Sequence, residues 1–93
     1  MKLVFSDMAQ ADLEEIGDYI ASDNPIRALS FIAELRSRCA TLTEFPESGP
    51  VRPDLGEGMR SITHRAYVIL YRTGDDAVRV ERILQGNRAF PEA

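Results

Sequence analysis

Arginine carries most of the chemistry that this chain can offer. Arg60, Arg65, Arg72, Arg79, Arg82 and Arg88 punctuate the C-terminal half, and Lys2 is the only lysine. A guanidinium is planar, always charged and able to grip a carboxylate or phosphate through two parallel bonds. Arginines gathered on one surface would point to binding of anionic groups; scattered ones would be solvated strand ends paired with neighbours such as Glu81 and Asp75. A GC-rich genome also raises arginine over lysine. His64 is the only histidine. It has no companions with which to build a metal centre, and as a general base it would need a nucleophile or substrate within hydrogen-bond reach. A place on a turn surface is the simpler expectation. Cys39 is the only cysteine, which excludes an intramolecular disulfide and fits a reducing cytoplasm. The adjacent acids Glu14-Glu15 and Asp75-Asp76 read as solvated pairs. No G-x-S-x-G, H-E-x-x-H, Walker or G-x-G-x-x-G pattern is present, so hydrolase, metalloenzyme and nucleotide-binding readings lack support and no cofactor is expected.

The net charge is −4, which argues against a general nucleic-acid binder. That average hides an asymmetry, because residues 1–47 hold nine acids against four bases and residues 48–93 hold seven arginines against six acids. With 93 residues, 44% hydrophobic and 28% charged, one globular domain spanning 1–93 is expected. There is no apolar run long enough to span a bilayer and no signal-peptide pattern.

The elements that must position the arginines follow from periodicity. Ser61-Ile62-Thr63, Tyr67-Val68-Ile69-Leu70-Tyr71 and Val78 to Leu84 are rich in β-branched and aromatic residues, as strands are. Thr73-Gly74-Asp75-Asp76 between the last two suits a tight hairpin. The C-terminal half therefore reads as an antiparallel meander, to which Leu3-Val4-Phe5 adds a short strand. Ser6-Asp7 offers a helix N-cap, with Gln10 three after Asp7 as in a capping box. Ala9, Leu13, Ile16 and Ile20 form one apolar stripe, with Asp12, Glu14, Glu15 and Asp18 mostly off it. Asp23 or Asn24 caps a second helix with Pro25 in its first turn. Its stripe is Ala28, Phe31, Ile32, Leu35, Cys39 and Leu42, and it ends near Phe45-Pro46. Two helices joined by so short a break form an antiparallel hairpin that can bury one face of the sheet. The fold class is thus α+β. Residues 46–58, rich in proline and glycine, form a long loop: a plain connector by residue type, a working loop by length.

Strand parity makes Arg82 conspicuous. Val78, Val80 and Arg82 alternate onto one face, and Arg79, Glu81 and Ile83 onto the other. Arg82 therefore shares parity with core valines, so either a bulge re-aims it or it reaches out at the sheet rim. Arg60 and Arg72 lie at strand ends that the meander could bring near it, and such a cluster could hold RNA phosphates or the acidic side chains of a partner.

In this order and spacing, the pieces resemble the ParE/RelE superfamily, the toxin components of bacterial type II toxin–antitoxin pairs. They are Ala11-Asp12-Leu13-Glu14-Glu15-Ile16, Tyr19-Ile20-Ala21, Asn24-Pro25, Phe31, Leu35, Leu42 with Phe45-Pro46, Gly49-x-x-Arg52 and Gly58-Met59-Arg60. Tyr67-x-Ile69-x-Tyr71-Arg72 and Val80-x-Arg82-Ile83-Leu84-Gln85-Gly86-x-Arg88 close the set, which looks more like the ParE branch than the RelE branch. The resemblance implies an N-terminal strand, a helical hairpin and a small antiparallel sheet. It also implies a cognate ParD-like antitoxin whose C-terminal segment folds onto the toxin along apolar grooves. ParE-type toxins are associated with poisoning DNA gyrase, RelE-type toxins with ribosome-dependent mRNA cleavage. Arg60 and Arg82 match part of the RelE basic set, but Phe90 stands where a proton-moving Tyr or His is common, and Gln85 replaces the histidine common before this glycine. The expectation is therefore a non-enzymatic gyrase inhibitor, with Arg60, Arg72, Arg82 and Arg88 as the target- or antitoxin-binding surface. The rivals are a RelE-type endoribonuclease, for which His64 and Tyr71 remain, and an inert member that only assembles with its antitoxin into a DNA-binding repressor complex.

Overall fold

The computed structural model describes residues 1–89, with side chains described as far as Asn87. The chain runs β1 (Lys2–Phe5), α1 (Asp7–Ala21), α2 (Pro25–Ala40), a 3-10 turn at Thr41–Thr43, a second at Pro53–Leu55, then β2 (Arg60–His64), β3 (Tyr67–Gly74), β4 (Ala77–Gln85) and a short α3 (Gly86–Ala89). The sheet order is β1-β4-β3-β2. The three later strands form the antiparallel meander, and β1 joins β4 in parallel, so the sheet is mixed. The β3–β4 hairpin turns through Asp75 and Asp76, both at positive φ, which Asp tolerates better than most residues.

Both helices bury their stripes on one face of the sheet. Ala9, Leu13 and Ile16 of α1 and Phe31, Leu35 and Cys39 of α2 pack with Ile69, Tyr71, Val78, Val80 and Ile83. On the opposite face Met59, Val68 and Leu70 meet Leu55 and Leu84, so the Pro53–Leu55 turn covers what would otherwise be an apolar outer face. This explains why β3 is apolar at successive positions: both of its faces are covered.

The first cap differs from the expected box. Ser6 is the N-cap and accepts from the Ala9 nitrogen, so the third helical position is Ala9 and Gln10 takes no part. Asn24 caps α2 through the Arg27 nitrogen, with Pro25 following. The 46–58 loop is more than a connector. Buried Tyr71 donates its phenol to the Pro46 carbonyl at 2.9 Å and accepts from the Gly49 nitrogen at 3.0 Å, and Val51 bridges Arg60.

A candidate binding cleft at the open edge of the last strand

Strand β4 carries a bulge. Leu70 pairs with Arg82 but Tyr71 pairs with Val80, leaving Glu81 unmatched. One extra residue reverses the alternation beyond it, which puts Ile83 on the helix side with Val78 and Val80. β1 pairs only with Ala77 to Val80, so beyond that point one edge of β4 has no strand beside it. The first helix serves this exposed stretch. The Ser6 hydroxyl donates to the bulged Glu81 carbonyl at 2.7 Å, and Asp12 accepts from the Ile83 nitrogen at 2.9 Å. The same Asp12 carboxylate takes Arg82 Nε and Nη2 at 2.9 and 3.0 Å, a two-bond grip. Arg82 holds its proton more tightly than usual, first through the hydrogen bonds to Asp12 and then through that carboxylate's charge.

Asp12 is 8% exposed, which corrects its expected place off the apolar stripe. At positions 9, 12, 13 and 16 the stripe is continuous, and Asp12 sits inside it because Arg82 and a bare strand N–H need it there. Of the two fates open to Arg82, the bulge is the one observed, and the re-aimed side chain closes on the molecule's own helix.

Beside this pair lies a cleft of about 370 Å³ lined by Asp12, Ile16, Tyr19, Tyr67, Arg82 and Gln85 among others. Tyr19 stands 73% exposed at its rim. The cleft has an apolar floor, a polar wall in which Asp12 and Arg82 are already bonded to each other, and an aromatic lip. That arrangement suits binding of a peptide side chain or segment. Among the described residues no group of three or more His, Cys, Asp or Glu is placed to hold a metal ion. No helix among them is long and apolar enough to cross a membrane.

Of the four arginines expected to act together, the three with described side chains are each held by different partners. Arg60 pairs across from Tyr71 and Arg72 is the next residue along β3, so the two leave the sheet on opposite faces. Arg60 donates to the Gly49 carbonyl at 2.7 Å. Arg72 donates to the Glu57 carbonyl and to Glu81, each at 2.9 Å, pinning the loop over the outer face. Arg82 is held by Asp12, and the side chain of Arg88 lies outside the described residues. Glu81 does pair with Arg72 and Arg79, as the scattered reading anticipates. His64 ends β2 instead of riding on the turn, with its Nε2 2.9 Å from Glu34 Oε1 and its ring centroid 5.6 Å from that of Phe31. Arg27 and His64 hold the Glu34 carboxyl down at about 2, the hydrogen bond from Arg27 weighing most.

The profile of the ParE toxin of type II toxin–antitoxin systems, parDE, matches residues 3–90. The chain belongs to the ParE toxin family. Two relatives also carry toxin names. Toxin RelE2 of Caulobacter vibrioides is 31% identical over 87 residues, covering 94% of this chain and 97% of that protein. Y4kP of Sinorhizobium fredii is 30% identical over 82 residues, covering 86% of this chain and 82% of its own. A solved structure of a chromosomal ParDE toxin–antitoxin system from P. aeruginosa superposes with a TM-score of 0.80 at 24% identity, covering 91% of this chain and 95% of the other. The ParE fold is thus the one built here: strand, helical hairpin, meander.

Proposed function

We propose that this ParE-family toxin acts by binding, with DNA gyrase as its target and a ParD-like antitoxin as its neutralising partner. One observation carries the choice against RNA cleavage: the groups a nuclease centre would draw on are already bonded inside the molecule. Tyr71 is fully buried between two backbone groups, Arg60 is held by the Gly49 carbonyl and Arg82 by Asp12. General acid–base work needs a group within reach of substrate, and Tyr71 has no such reach. Several large apolar side chains do stand exposed: Tyr19 at the cleft, and Ile26 and Leu29 at 80% and 77% exposure on α2. An antitoxin segment laid along the hairpin and cleft would cover them.

The test is a DNA-cleavage assay with purified gyrase and the purified chain, with and without antitoxin. Linear DNA that accumulates with the chain and vanishes on adding antitoxin is the expected result. No effect, from folded and antitoxin-competent protein, overturns the gyrase reading. Ribosome-dependent mRNA cleavage by the same preparation would establish the endoribonuclease instead.

A further inference from the structure

One residue sits in a backbone conformation that its side chain does not favour. Arg65 has φ +55° in the two-residue turn between β2 and β3. Glycine takes that region freely, Asn and Asp tolerate it, and a long side chain there is uncommon. Strain of this kind persists where the surrounding structure enforces it, and an observed outlier is a reason to ask what the side chain does. Structurally Arg65 does little. Its side chain is 66% exposed, and its Nε lies 3.8 Å from Glu34 Oε1, a carboxylate already bonded to Arg27 and His64.

Around the turn the charges are unbalanced. Arg27, Glu34 and Arg38 follow one another at helical spacing along α2, and Arg38 Nε donates to the Thr63 carbonyl next to His64. Arg27, Arg38 and Arg65 set three guanidiniums against the single carboxylate of Glu34, a positive island in a chain of net charge −4. Arg38 and Arg65 each keep guanidinium N–H groups beyond the one contact described here, and Arg65 projects furthest. Planar forks of this kind match phosphate oxygens.

We propose that the β2–β3 turn and the adjoining face of α2 form a phosphate-contact surface for the backbone of a nucleic acid, with Arg65 as its leading contact and Arg38 beside it. The surface lies apart from Arg60, Arg72 and the Asp12–Arg82 pair and goes beyond the target reading above. The contacts proposed are to backbone phosphates alone, so binding is expected to be independent of sequence. The acidic remainder of the chain keeps it weak and steeply salt-dependent.

The experiment is fluorescence anisotropy of a labelled DNA duplex of mixed sequence, titrated with the full chain across a salt series. Arg65→Asn keeps a residue that tolerates positive φ, and Arg65→Gly relieves the strain outright, so both variants fold; an unchanged or raised Tm checks this. The expected result is severalfold weaker binding by both variants and by Arg38→Gln. The slope of log K against log salt should fall by about 0.9 per lost phosphate contact. Binding that is undetectable at low salt, or equal in wild type and variants, overturns the proposal. Equal competition by polyglutamate at matched charge also overturns it, and would make the surface a dock for acidic peptides.

Discussion

Replacing Asp12 with alanine removes three hydrogen bonds at once, and the structure tells how their losses differ. The Arg82 side chain is 33% exposed, so its freed guanidinium can turn towards water, and that part of the loss is small. The Ile83 nitrogen cannot turn. It belongs to a residue only 2% exposed, at a strand edge where β1 has already ended, and nothing described nearby replaces its acceptor. An orphaned buried N–H costs about 1–3 kcal/mol, and the lost charge-assisted grip adds to it, so Asp12→Ala should cost roughly 2–4 kcal/mol. For a chain of this length that lowers Tm by roughly 10–20 °C. Asp12→Asn keeps an oxygen for Ile83 but turns an NH2 towards the guanidinium, and should fall between the two. Equilibrium urea unfolding of wild type, Asp12→Ala, Arg82→Ala and the double variant gives the answer, provided the slopes agree. A loss below about 0.5 kcal/mol for Asp12→Ala, or a loss for Arg82→Ala as large as that for Asp12→Ala, would refute the reasoning.

Other expectations rest on separate parts of the molecule. Tyr71→Phe leaves the Pro46 carbonyl and Gly49 nitrogen without their partner, and should cost about 1–3 kcal/mol and speed amide exchange at Gly49, read by hydrogen-exchange NMR. Glu34 has a folded pKa near 2 against an ordinary 4.5, so its contribution to stability is complete above 4.5 and lost as pH falls towards 2. Glu34→Gln lacks that loss, and denaturation midpoints that stay parallel for the two proteins across this window would contradict the assignment. Burial lifts the Cys39 thiol to about 11, so a thiol reagent should leave native protein unlabelled at neutral pH and react promptly in denaturant.

Periodicity made the elements legible. Both apolar stripes, the three meander strands, the cap at Asn24 and the hairpin at Asp75-Asp76 stand where spacing and turn chemistry place them. The charged pairings were not legible, because each depends on a partner distant in sequence. Asp12 and Arg82 are 70 residues apart, and only together do they explain an acid inside an apolar stripe and a base at core parity. Each anomaly is visible alone, and pairing the two would have located the site. Tyr71 was misleading for the opposite reason: its spacing suits either a core phenol or a reactive one, and the loop that buries its hydroxyl has no periodic signal. His64 likewise owes its place to Glu34 on a helix that sequence alone does not align with β2.

The sheet order has a consequence for how the protein comes into being. β4 lies between β1 and β3, supplies the bulge that Ser6 and Asp12 serve, and is made after the other three strands of the described sheet. Until it emerges, β1 has no neighbour, the first helix has no strand edge to cap, and the apolar stripes of the hairpin lack Val78, Val80 and Ile83. A chain cut short before Ala77 is therefore not a weakened copy of this protein but an open helical hairpin without its central strand. A nascent molecule passes through that incomplete form before β4 is made, and the surfaces built on β4 then arise together.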